Sequence, residues 1–190
     1  MAVRLVFETH AITTDNEAGI ATGWLPGELS EAGRRGAREL GERRRDDGIS
    51  VVYASDLARA LETAWLAFEG SSLPLVVDPR LRECNYGALN GVPRARLDDE
   101  RLAHLDDPWP AGESYRDVVE RTRALLVDVA RRWNGARVLW IGHSANRWAL
   151  DHLLHGLDLA AAIAAPFAWQ PGWEYEVAPP VGDQAPNTPS

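Results

Sequence analysis

At 190 residues with 45% hydrophobic content, the chain suits one domain with a real core. Its net charge of −8 argues against general nucleic-acid affinity, so an anionic ligand must be drawn by local positive charge. No apolar run nears the ~18 residues of a membrane span, no leader pattern opens the chain, and the single Cys84 has neither a disulfide partner nor a metal-site spacing, which together predict a soluble, cytoplasmic protein.

Residues 3–7 read as a buried strand that leads to Thr9 and His10. Residues 13–29 carry Gly19, Gly23, Pro26 and Gly27 and read as a long loop. Ser30 is suited to cap a helix that runs to about Arg45 and is stopped by Asp46-Asp47-Gly48. Residues 50–54 form a second strand, and Asp56 is placed to cap a helix reaching Phe68.

Residues 74–77 form a short strand. The stretch from Cys84 to Gly112 is irregular, with Gly87, Gly91, Pro93, Pro108 and Pro110. Residues 113–133 space Val118, Val119, Thr122, Leu125, Leu126 and Val129 as one helical face. Residues 137–141 form a continuous apolar strand, 145–155 a helix and 173–177 a last strand. Residues 1–177 thus make a single domain, and the Pro-rich stretch 178–190 reads as a disordered tail.

Strands alternating with helices predict a three-layer α/β/α sandwich with a mostly parallel sheet. His10 and His143 both fall just past strand C-termini, where open α/β sheets place ligands. Between them lie Arg59, in Ser55-Asp56-Leu57-Ala58-Arg59-Ala60, and Glu83, in Leu81-Arg82-Glu83. These are the parts that phosphoryl transfer through histidine needs. A neutral imidazole attacks phosphorus (His10). Cations neutralise the transferring oxygens (Arg59 and a protonated His143). A carboxyl protonates the leaving oxygen and then activates water (Glu83).

The order and spacing of these residues resemble the histidine phosphatase superfamily, also called phosphoglycerate-mutase-like. Thr9-His10-Ala11-Ile12-Thr13 stands where the family has Arg-His-Gly-x-[Ser/Thr], and Asn16 follows six positions past the histidine. Thr22-Gly23-Trp24, Leu29-Ser30-Glu31-Ala32-Gly33, Leu81-Arg82-Glu83 with Gly87 and Gly91, Pro110-Ala111-Gly112-Glu113-Ser114 and Gly142-His143-Ser144 match its later motifs in order, over residues 3–177. The resemblance implies phosphate contacts from Thr9, Asn16, Thr22, Gly23 and Ser144, and it implies no metal or cofactor. It implies a small-molecule phosphate ester as partner and leaves a homodimer open. The short segment between Glu83 and His143 favours a phosphatase over a mutase, since mutases of this family usually carry a longer insertion there.

Two departures matter: Thr9 replaces the family's first arginine, and Ala11 and Ser144 stand where the family has glycines after each histidine. A charge-assisted bond from arginine to phosphate is worth ~1.5–3 kcal/mol, and Thr9 offers only a neutral hydroxyl. Arg82 and Arg147 are candidates to replace that cation. The Thr9 departure also opens two other readings: acid–base chemistry on a non-phosphate small molecule, or a non-catalytic binding protein on the same fold. Among eight tryptophans, Trp65, Trp133, Trp140 and Trp148 are expected in the core. Trp24 and Trp109 are expected near the pocket mouth. The aromatic stretch Phe167–Tyr175 is suited either to wall a pocket or to pack as an edge.

Overall fold

The structure is a computed structural model that describes residues 1–179. Its elements in chain order are β1 (Val3–Thr9), α1 (Thr14–Glu17), β2 (Ile20–Ala21), α2 (Glu31–Arg44), β3 (Val51–Ala54), α3 (Ala58–Ala67) and β4 (Leu75–Val77). Next come β5 (Val92–Pro93), α4 (Arg94–Glu100), α5 (Tyr115–Arg132), β6 (Arg137–Gly142), α6 (Ser144–His155), α7 (Leu159–Ala164) and β7 (Trp173–Val177).

The five-stranded sheet has the order β4-β3-β6-β1-β7. The first four strands are parallel, and β7 closes the edge antiparallel to β1. Alternation along the strands sorts the core into two layers. Val6, Val52, Ala54, Leu139 and Ile141 face Leu40 of α2 and Ala60 and Ala64 of α3. Leu5, Phe7, Tyr53, Val138 and Trp140 face Leu125, Leu126 and Val129 of α5 and Leu150 of α6. Burial on both faces is why these strands read as unbroken apolar runs.

The helix starts are set by side chains. Ser30 Oγ accepts from Gly33 N at 3.1 Å. Ser114 accepts from Asp117 N at 3.1 Å while Asp117 accepts from Ser114 N, a reciprocal cap on α5. Gly33 is required by space, because a Cβ there would lie 1.9 Å from the Ile12 carbonyl. This close approach lets α2 pack against the loop that follows His10.

Several expectations are corrected. The loop expected over 13–29 holds α1 and β2, the irregular stretch from Cys84 holds β5 and α4, and α7 was unforeseen. Asp56 does not cap α3; Leu57 occupies that position without a side-chain bond, and Asp56 binds Arg82 instead. Trp65 is 62% exposed rather than core, because Ala60 and Ala64 are the α3 positions that meet the sheet. Trp109 is wholly buried, stacked on His104 at 3.8 Å. Cys84 is fully buried. The tail expected over 178–190 lies outside the described residues from position 180 onward. Among the described residues no helix is long and apolar enough to cross a membrane.

Candidate functional site

Two parallel neighbours bring the histidines together. Thr9 of β1 is the register partner of Gly142 of β6, and His10 N donates to the Gly142 carbonyl at 2.9 Å. The next residue on each strand is a histidine, and the two rings stand 4.9 Å apart between centroids. His10 Nδ1 lies 2.7 Å from the Ala11 carbonyl. A carbonyl can only accept, so Nδ1 carries the proton and Nε2 presents its lone pair. Burial, and then the Arg59 charge, lowers the His10 pKa to about 3, so the ring is neutral near pH 7.

Arg59 projects from the first turn of α3 and is 2% exposed. Its Nη2 donates to the Gly23 carbonyl at 2.7 Å and its Nη1 to the Leu25 carbonyl at 3.2 Å. Nη2 also stands 3.4 Å from His143 Nδ1. A guanidinium only donates, so His143 Nδ1 faces it as acceptor and the neutral ring carries its proton on Nε2. His143 Nε2 is buried and has no partner among the described residues. Burial, then Arg59 and His10, hold the His143 pKa well below its ordinary value. The protonated His143 expected from the sequence is therefore corrected: the ring is neutral, because it is desolvated beside a cation.

Glu83 follows a short helical turn over Pro79–Leu81. Its Oε1 accepts from Cys84 N at 2.8 Å and from Ala145 N, in the first turn of α6, at 3.3 Å. The Glu83 carbonyl accepts from Trp24 Nε1 at 2.7 Å and Arg121 Nη2 at 3.0 Å. Asn146 is wholly buried; its Oδ1 accepts from His143 N at 2.9 Å and its Nδ2 donates to the Arg82 carbonyl at 3.3 Å. It ties the His143 turn to the Glu83 turn. Thr63 does the same for His10, its Oγ1 accepting from Ala11 N at 3.0 Å and donating to the Arg59 carbonyl at 2.7 Å. Sequence reasoning missed Trp24, Thr63, Arg121 and Asn146 as supports. The only signal for Asn146 is its position at the third residue of α6.

Of the residues expected to bind phosphate, Thr9, Asn16 and Ser144 line a cavity of about 580 Å³ that also touches His10. Asn16 Oδ1 is spent on Thr13 N at 3.1 Å. Thr22 and Gly23 do not line this cavity. The Thr22 hydroxyl donates to Asp15 Oδ2 at 2.8 Å. Gly23 serves through its carbonyl, which orients Arg59; at φ +54 a Cβ would sit 1.8 Å from Asn90 Oδ1. Neither candidate replacement for the missing cation lines the cavity. Arg82 forms a fork on Asp56, with bonds of 2.8 and 2.5 Å, and its guanidinium lies 4.4 Å over the Trp24 ring. Arg147 lies 5.3 Å over Trp173 and 3.6 Å from Asp151.

A family model for the histidine phosphatase superfamily (branch 1) matches residues 5–168. The chain is 35% identical to a 2,3-bisphosphoglycerate-dependent phosphoglycerate mutase of Methylobacterium sp. (strain 4-46), over 80% of this chain and 81% of that relative. Among solved structures, a mycobacterial glucosyl-3-phosphoglycerate phosphatase complexed with VO3 is 32% identical with a TM-score of 0.74, covering 86% of this chain and 87% of that one. Bacillus stearothermophilus YhfR is 27% identical with a TM-score of 0.79, covering 90% and 88%. Relatives thus include both mutases and phosphatases, and by its sequence, its sheet and its paired histidines the chain belongs to the histidine phosphatase superfamily.

Proposed function

We propose that this protein is a metal-independent phosphomonoester hydrolase that works through a phosphohistidine on a small-molecule phosphate ester. The observation that carries the reading is the His10 ring, neutral and with Nε2 unpaired among the described residues, 4.9 Å from His143 and under the charge of Arg59. Nε2 attacks phosphorus, and the bond to the leaving oxygen breaks as a protonated Glu83 gives that oxygen its proton. Water then attacks the phosphohistidine. Glu83 takes its proton, the phosphorus–nitrogen bond breaks, and inorganic phosphate leaves with His10 restored. Arg59 and the Nε2–H of His143 face the equatorial oxygens.

The phosphatase relative supports hydrolysis, as does the short Glu83–His143 segment. The test is turnover of p-nitrophenyl phosphate by the protein and its His10→Ala variant. The reading requires activity in the first and loss in the second; equal rates refute it.

A second reading is acid–base chemistry on a non-phosphate molecule, favoured by the uncharged Thr9 and by the two expected replacement arginines being engaged elsewhere. Tight vanadate binding that depends on His10 rejects it.

A further inference from the structure

The cavity that touches His10 lies toward α2 and the segment before β7, away from Arg59 and His143. Its volume of about 580 Å³ is in the range of small-molecule sites. We propose that it receives the body of the substrate, and that this body is a flat apolar or aromatic group carrying a second anion that Arg35 binds. The proposal deepens the phosphomonoesterase reading and rests on it.

The cavity meets the proposed chemistry at His10, which lines it together with Ser144. Ser144 lines the cavity, and the N–H of the next residue, Ala145, donates to Glu83 Oε1 at 3.3 Å. An ester oxygen held at Glu83 therefore lies one residue from the cavity wall, and the group it carries can run over Ser144 into the space beside Thr9. A family arginine at position 9 would project from a residue that lines this space. The uncharged Thr9 leaves the room to the ligand.

The walls select for an amphipathic ligand. Ile12 is 52% exposed and Trp169 62% exposed, and both line the cavity with Phe167. Singly scattered apolar exposure is ordinary; convergence on one cavity is a surface for a flat group. The aromatic wall is anchored from behind, with Phe167 6.2 Å from Trp173 and Trp173 6.1 Å from Phe7, ring to ring. Gly36 of α2, which also lines the cavity, has no heavy atom within 4 Å of where a Cβ would be.

Three arginines line the cavity, and two are committed. Arg43 donates to Glu8 at 3.2 and 3.4 Å, and Arg94 pairs with Asp98 at 3.7 Å. Arg35 is exposed and has no ion pair among the described residues. Glu39, one turn further along α2, also lines the cavity and opposes an anion there.

The test is calorimetric binding of three non-hydrolysable probes to the full chain: methylphosphonate, benzylphosphonate and para-carboxybenzylphosphonate. Affinity should rise in that order. Arg35→Gln should weaken the carboxylated probe about tenfold and leave benzylphosphonate unchanged, as expected for one charge-assisted bond. Trp169→Ala should weaken both benzyl probes, and Glu39→Gln should strengthen the carboxylated one. Equal binding of the three probes, an equal effect of Arg35→Gln on both benzyl probes, or no binding of any probe overturns the proposal. Turnover is read separately with p-nitrophenyl phosphate. Probe binding of the expected pattern without turnover refutes hydrolysis alone, and turnover without the pattern refutes the cavity assignment alone.

Discussion

His10 and His143 face each other because Thr9 and Gly142 are register partners on neighbouring parallel strands, and each histidine is the first residue beyond its strand. The sheet therefore delivers both imidazoles to one edge, and the helices that follow supply Arg59 and the N–H that holds Glu83.

Thr9→Arg should place a guanidinium at a position that lines the cavity beside His10. Inhibition by inorganic phosphate should tighten roughly tenfold to a hundredfold, the value of ~1.5–3 kcal/mol for a charged contact. Inhibition constants for the two proteins check this; unchanged values would mean that the anion lies out of reach of position 9.

Arg59→Gln should lower kcat/KM on order of a hundredfold or more, the usual loss for one pre-organised donor to transition-state charge. It should also reduce stability by about 1–3 kcal/mol, because the buried guanidinium satisfies the Gly23 and Leu25 carbonyls. Steady-state kinetics and urea unfolding measure the two effects separately.

Acid should destabilise the fold through its site histidines. The His10 pKa is about 3 in the folded state against an ordinary 6.5, and that of His143 also lies well below 6.5. Below about pH 6.5 the unfolded chain binds protons that the folded chain refuses, so stability falls as pH drops from there toward 3. Urea midpoints across this window should decline, and His10→Gln should flatten the decline. An identical profile in the variant would contradict the neutral state of His10.

Glu8→Ala should cost about 1–3 kcal/mol, since it removes a buried acceptor from Arg44, which keeps Asp47 at 2.7 Å and the Pro171 carbonyl at 2.9 Å. Arg44, almost wholly buried, donates to Glu8 at 2.9 and 2.7 Å, and Arg43 shares the same carboxylate. Thermal unfolding reads the effect, and a change within experimental scatter would show that Asp47 and the Pro171 carbonyl suffice for Arg44.

What was legible followed from local pattern. Val138 to Ile141 is unbroken because both faces of β6 are covered, and the apolar stripe of α5 repeats for five turns. α4 and α7 escaped notice because they are short; α4 buries only Leu97 and gives no period to read. Asp56 reads locally as a cap, but a partner 26 residues away, Arg82, wins it with two charge-assisted bonds. His10, Arg59, Glu83 and His143 could be singled out as site candidates because the chemistry proposed for them lies in the side chain. Thr63 and Trp24 could not, because they act through backbone groups that folding alone brings within reach.

The most direct test of the account is trapping of the covalent intermediate. The protein is mixed with a phosphomonoester, quenched under denaturing conditions that preserve phosphohistidine, digested and mapped by mass spectrometry. The account predicts one added phosphoryl group on His10, absent from His10→Ala and accumulating when Glu83→Gln slows its hydrolysis. Turnover with no phosphoryl group on His10 at any quench time, or a phosphoryl group carried by another residue, would contradict it.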